Sequence, residues 1–396
     1  MTFVIREAGG VRFSEDLVLG SGLALGTSAL GVPELLGGGE AVLVPSGGDD
    51  TAALQAALNA STRVRLAPGT FRIGATVTVP PGRALVGTGG QATEVVASHS
   101  GDAFALAVGP EILLGTQITA IEDLVITGPG YSVGTGVGIS ATQPGAGGSI
   151  DTRIRLRSLF ISGFGGGGVL VQEANKVELY DVAARHIGGT GISLDGSGHS
   201  TNRLLCAGLV SAQSGSGIAI SNFLSVQVAN AQAIGLGGTG ILVTGCAGLQ
   251  LSGLQCIYTG GRGLHVQQCS GVAIDGASVL GCVGSLWVEA CTGVSVGGLR
   301  SSNSSGHGVR ISGGASVAMH GLVTDQSGLT GPVPAPHLLV DGGATEVLVT
   351  SLRKTNSAGG PPTFEADVAG AGGRVVFIQN NLDPARINSG GRFVQL

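Results

Sequence analysis

The chain has 396 residues, of which only 11% are charged and 4% aromatic while glycine contributes 74, a balance that excludes an ordinary layered globular core. An apolar content of 43% with a net charge of −5 excludes intrinsic disorder and leaves no basic run for nucleic acid or an anionic membrane. No stretch reaches the roughly 18 apolar residues of a membrane span, so a neutral, hydroxylated or carboxylated glycan is the partner that suits this composition.

Residues 1–48 read as an N-terminal extension. Arg6, Glu7, Arg12, Glu15 and Asp16 stand ahead of a weak apolar run, which is not the pattern of a Sec signal peptide. Gly20 to Gly39 is a Gly/Ala/Leu tract broken by Pro33, fitting either a flexible linker or an attachment segment. At Asp49 the composition changes. Asp50 or Thr51 N-caps a short helix that runs to Ala60, with Leu54, Ala57 and Leu58 as its apolar side.

Beyond the helix the chain repeats. Phe104 and Ile139 are loosely spaced anchors, followed by a regular series at Val169, Ile192, Ile218, Ile241, Leu264, Leu286 and Val309. The regular spacings are 23, 26, 23, 23, 22 and 23 residues. A second aliphatic residue lies two positions after each anchor, and alternation of this kind defines a strand with one face inward. Eight and ten residues after the anchors come further pairs such as Leu249 with Leu251 and Val272 with Ile274, and Leu254, Leu299 and Leu322 mark a third inward position. Each repeat thus folds as a coil of three strands, and Gly pairs at the corners supply positive φ. Leu338 with Val340 continues the register if Gly331 to Pro336 is an inserted loop, and Phe364 and Val375 to Ile378 are the last clear signals. The expected fold is all-β: a single-stranded right-handed parallel β-helix of about ten to twelve coils over residues 49–380, sealed by the N-terminal helix and followed by a tail at 381–396.

Six cysteines, Cys206, Cys246, Cys256, Cys269, Cys282 and Cys291, include no CxxC pair. The repeat stacks Cys246, Cys269 and Cys291 about 4.8 Å apart as an internal ladder of reduced thiols, so neither disulfides nor a metal site are expected. No phosphate loop, nicotinamide fingerprint or nucleophile motif calls for a cofactor.

The run Gly48-Asp49-Asp50-Thr51-Ala52-Ala53-Leu54-Gln55-Ala56-Ala57-Leu58, then Val64 to Phe71 with Pro68-Gly69-Thr70, then Leu85-Val86-Gly87-Thr88-Gly89, resembles the opening of the pectate-lyase superfamily. That superfamily includes phage tailspikes and fibres, inulin fructotransferases and polygalacturonases. With the coils, the resemblance covers residues 49 to about 380. It implies a glycan-binding spike or fibre on the surface of a phage or a phage-like particle such as a gene transfer agent, assembled as a homotrimer and attached through residues 1–48. Its alternative is a β-helical glycan lyase, glycoside hydrolase or fructotransferase. The outward column Leu170, Ala219, Leu242 and Leu339 is apolar where solvent would favour charge, which suits a trimer interface.

One outward face concentrates side chains suited to sugars. His265, Gln267, Trp287 and Arg310 are the candidate glycan-binding residues, with Glu289, Ser312 and Asp341 beside them. Trp287, the only Trp, would offer a flat apolar surface to a sugar ring while its polar neighbours bond hydroxyls. Glu289 and Asp341 fall two coils apart, about 9.6 Å between Cα atoms, near the upper end of the separation used by inverting glycosidases. They are the candidate catalytic pair if the chain is an enzyme. The Gly306-His307-Gly308 triplet resembles a polygalacturonase motif, but Ser285, expected one coil earlier, is no acid. Glu178, Asp181, Arg185 and His186 share one coil on another face and are expected to pair with one another, and His99, His199, His320 and His337 read as turn or surface residues.

Overall fold

The computed structural model describes residues 39–89, 91–107, 118–141, 153–197, 202–325, 336–355, 366–368, 370–378, 385, 387–388 and 393–395, together with the backbone of three strands ahead of them. Those three, Leu17–Leu19, Leu23–Thr27 and Pro33–Leu36, pair antiparallel. All later strands pair in parallel with strands of the adjacent turns.

The anchors dictate this arrangement. Val169, Ile192, Ile218, Ile241, Leu264, Leu286, Val309 and Leu338 are successive partners in one ladder, and Phe104 and Ile139 extend it toward the N-terminus. A second ladder carries Val177, Leu204, Val226, Leu249, Val272, Val294 and Val317. A third sheet closes each turn through strands such as Gln255–Thr259 and Ser278–Leu280. The inward residues are almost wholly excluded from solvent. Each contributes roughly 1.5 to 3 kcal/mol of burial, which offsets the ordering of a chain so rich in glycine. Left-handed corners repeat along the axis: Asn230, Gly253, Gly276, Gly298 and Gly321 occupy one column with φ of 54°, 60°, 67°, 63° and 63°. A side chain there is strained unless it is Asn or Gly, which is why the turns read as glycine pairs.

There are about 13 turns rather than ten to twelve. The additional rungs lie at the ends, where the hydrophobic pattern is weakest. Glu40–Leu43 pairs with Arg63–Leu66 ahead of the helix, and Ile387–Asn388 and Phe393–Gln395 still pair in parallel within the stretch expected to be a tail. The helix Thr51–Ala60 buries Leu54, Ala57 and Leu58 as expected. Asp50 holds the N-cap position without a side-chain cap bond; its carboxylate accepts instead from the Ser46 N–H at 2.9 Å and the Arg72 N–H at 3.1 Å, tying the helix to the first coils. Phe364, His199 and the inserted loop through Ala335 lie outside the described residues.

Two expectations are corrected. Glu178 bonds Arg153 and Arg155, not Arg185, because neighbours on adjacent rungs are nearer than neighbours along one strand. Arg185 instead lies over the Phe160 ring at 5.7 Å. His337 is not a surface residue: it is 1% exposed beneath the Val309–Ser312 rung.

All six cysteines are free and buried. The Cys246 N–H donates to the Cys269 sulfur, and the Cys269 N–H to the Cys291 sulfur, each at 3.4 Å, so the three stand in the expected column. Burial pushes the Cys206 and Cys256 thiols up, away from the reactive thiolate. Because all six are buried, native alkylation followed by mass spectrometry is expected to label none of them until denaturant is added. Rapid labelling of Cys246, Cys269 and Cys291 would refute the register.

Candidate functional site

The outward side of the first sheet carries the candidate residues on the strands Arg262–Gln267, Gly284–Glu289, Val309–Ser312 and Leu338–Asp341. Register places His265, Trp287, Arg310 and Leu339 in one column and Gln267, Glu289, Ser312 and Asp341 in the next. All the side chains singled out from the sequence thus share one face.

A third column, two residues ahead of the anchors, adds what the pattern did not single out: Arg262, then Gly284, then His307. Gly284, not Ser285, is the rung neighbour of His307. A Cβ at Gly284 would stand 2.6 Å from the Trp287 indole nitrogen, so the glycine makes the space into which the ring folds. Ser285 points inward, where its hydroxyl lies 2.6 Å from that of Ser301 and also contacts Ser304.

The indole is not an open platform. The Arg262 guanidinium, from the rung before, lies 3.4 Å from its centroid, and that of Arg310, from the rung after, lies 4.4 Å away. Trp287 is thereby sandwiched between two cations, and its quadrupole separates charges that would otherwise repel. His265 meets the ring edge-on, with centroids 6.0 Å apart. The expected stacking surface for a sugar is therefore occupied, while both guanidiniums stay partly exposed.

Ion pairs set the remaining positions. Arg262 Nη1 is 2.7 Å from His265 Nδ1 and 2.9 Å from Nε2, and His265 Nε2 lies 3.0 Å from Glu289 Oε2. A neutral imidazole protonated on Nε2 satisfies both neighbours, accepting from Arg262 and donating to Glu289. Arg262 also approaches Glu289 at 3.8 Å. Arg310 donates to Asp341 Oδ2 at 2.8 Å, and Gln267 donates to the Thr244 hydroxyl at 3.0 Å. Glu289 and Asp341 are two rungs apart, as the repeat requires, with Glu289 bonded to His265 and Asp341 to Arg310. His265 is 5% exposed, which leaves Arg262, Trp287, Glu289, Arg310 and Asp341 as the groups a ligand meets first.

Burial, reinforced by Arg262, holds the His265 pKa below the ordinary imidazole value, with Glu289 working the other way. Burial and Arg310 do the same for His307. A base depressed in the fold protonates first in the unfolded chain, so between the folded value and about 6.5 the unfolded state holds more protons and stability rises with pH. Acidification from about pH 7.5 to about pH 5.5 is accordingly expected to lower the denaturation midpoint, with a smaller drop in a His265→Asn, His307→Asn double variant. Equal drops in both proteins would show that these imidazoles are not responsible.

Among the described residues no group of three or more His, Cys, Asp or Glu side chains could hold a metal ion, and no helix is long and apolar enough to cross a membrane.

Fold and face together define a right-handed parallel β-helix bearing an aromatic and ionic patch on one sheet. No protein-family model matches the chain, and no curated protein matches it in sequence. Solved structures do. The A-module of the Azotobacter vinelandii mannuronan C-5 epimerase AlgE6 is 18% identical with a TM-score of 0.60, over 88% of this chain and 96% of that one. An N-terminal fragment of bacteriophage Phi29 gene product 12 is 14% identical with a TM-score of 0.62, over 87% of this chain and 70% of that one. Tailspike protein 3 of bacteriophage CBA120 is 11% identical with a TM-score of 0.60, over 89% of this chain and 59% of that one. At such identities the likeness establishes the fold.

Proposed function

We propose that the chain is the glycan-recognising subunit of a spike or fibre on a phage or phage-like particle, such as a gene transfer agent, and that the face around Trp287 is its saccharide site. One observation carries the reading: the only Trp of the chain is placed on an outward strand between two guanidiniums instead of in the core. Forked donors at fixed spacing, with Glu289 and Asp341 as acceptors beside them, match the hydroxyls and carboxylates of a cell-surface polysaccharide. Fold neighbours among phage proteins support the same reading. Residues 1–48, whose strands Leu17–Leu19, Leu23–Thr27 and Pro33–Leu36 pair antiparallel ahead of the rung at Glu40–Leu43, are the proposed attachment segment.

A homotrimer completes the proposal. The half-buried column Leu170, Ser193, Ala219 and Leu242 runs directly into His265 and Trp287, so the saccharide site would border the interface between subunits. Light scattering is expected to give about three times the 38.8 kDa of one chain, and a monodisperse 38.8 kDa species would rule the trimer out.

The competing reading is a glycan lyase or glycosidase, and the bond from His265 to Glu289 beside two arginines is what favours it. Incubation with acidic capsular polysaccharide, followed by sizing and a retention assay, separates the two. Retention with chain length unchanged supports a binding spike; shortened chains support the enzyme; neither retention nor shortening overturns both.

A further inference from the structure

A second, separate surface of the helix is basic in a chain that is acidic as a whole. On the outward side of the second sheet, Arg153, Lys176 and Arg203 occupy one column over three successive rungs. Arg155 and Arg157 flank them from the Arg153–Ser162 strand. Two adjoining depressions, of about 280 and about 400 Å³, lie among these side chains and share Glu178 as a common wall. Glu178 and Asp181 are the only carboxylates lining them, against five cations, so the groove has an excess of three positive charges in a chain whose net charge is −5.

The groove is built, not incidental. Glu178 accepts from Arg155 Nε at 2.9 Å and from Arg153 Nε at 3.0 Å, which locks both guanidiniums against the strand. Although partial burial acts in the opposite sense, these arginines hold the Glu178 carboxyl below its usual range, so it remains a fixed anion at neutral pH. Arg157 and Arg203 are exposed, and among the described residues neither makes an ion pair. Arg203 lines one depression and Arg157 the other.

We infer that this groove binds a linear carboxylated polysaccharide along the helix axis, independently of the face around Trp287. Rungs about 4.8 Å apart repeat a cation along the Arg153 column, which suits a ligand bearing regularly spaced single charges. Nucleic acid fits less well. Tyr180 is the only aromatic side chain lining the groove, so bases would find no stacking platform, and the acidic remainder of the chain repels a dense polyphosphate.

The test measures binding of polygalacturonate to the full chain, with dextran as neutral control and single-stranded DNA of matched length as competitor. Polygalacturonate is expected to bind and dextran not, with affinity falling roughly 20- to 50-fold between 50 and 200 mM salt for three or four contacts. An Arg157→Ser, Lys176→Ser, Arg203→Ser variant is expected to lose at least about ten-fold in this binding, and Arg157→Lys, Lys176→Arg, Arg203→Lys to retain it. Trp287→Ala tests the other face and should leave the triple-variant difference intact, so failure of one site is distinguishable from failure of the other. Polygalacturonate binding that is unchanged in the serine variant, or DNA that binds as tightly as polygalacturonate, would overturn the proposal.

Discussion

Trp287→Ala is expected to weaken binding of an acidic capsular polysaccharide by about 5- to 150-fold, the range of a central aromatic hot spot. The ring acts here as a spacer more than as a platform. With the indole absent, the Arg262 and Arg310 guanidiniums, now 3.4 and 4.4 Å from its centroid, face each other across an empty gap and lose their fixed orientation. Two cation–π contacts at about 0.5 to 1 kcal/mol each, plus the lost apolar contact, put the stability cost near 2 kcal/mol. Trp287→Phe should restore most of both quantities, since a smaller face still separates the charges. Calorimetric titration and denaturant unfolding of the two variants check this, and an alanine variant with undiminished affinity would place recognition elsewhere.

Gly217→Ala is expected to have the larger effect on folding. A Cβ at Gly217 would stand 1.9 Å from the Gly240 carbonyl oxygen and 2.7 Å from Leu236 Cδ1. The first obstacle is backbone of the next rung, which cannot rotate aside; it can only shift, and it carries the ladder with it. The cost is roughly 3 kcal/mol or more, the upper range of overpacking. Gly48→Ala is the control, because its new methyl meets only the Ser46 hydroxyl at 3.7 Å, and its effect should stay within about 0.5 kcal/mol. Equal denaturant midpoints for the two variants would contradict the close rung-to-rung approach.

The ladder from Val169 to Val309 was legible because its information is one-dimensional: an inward aliphatic every 22 to 26 residues can only be satisfied by stacking. Where a rung contains few aliphatics, as at Ala366–Asp367 or Ile387–Asn388, the same geometry leaves no comparable trace. The shared face of His265, Trp287, Glu289, Arg310 and Asp341 followed from the register alone. What the register could not give is the direction of long side chains. Arg262 sits ahead of its anchor, at a position that reads as corner, and only its reach across the rung brings it over Trp287. The space at Gly284 was the available signal, since a glycine between Arg262 and His307 in one column leaves room for the ring of the neighbouring column. Glu178 shows the converse error, in which proximity along the sequence outweighed proximity along the axis.

Rungs that touch only their immediate neighbours separate two properties that most folds entangle. An outward residue such as Gln267 or Ser312 packs against no distant element, so exchanging it alters what the surface recognises without disturbing the interior. Duplication or loss of a whole turn moves everything beyond it by one step along the axis and leaves every surviving column aligned. Surface chemistry and length are therefore free to diverge independently, and a handful of point changes can remake an outward face while the scaffold stays unaltered.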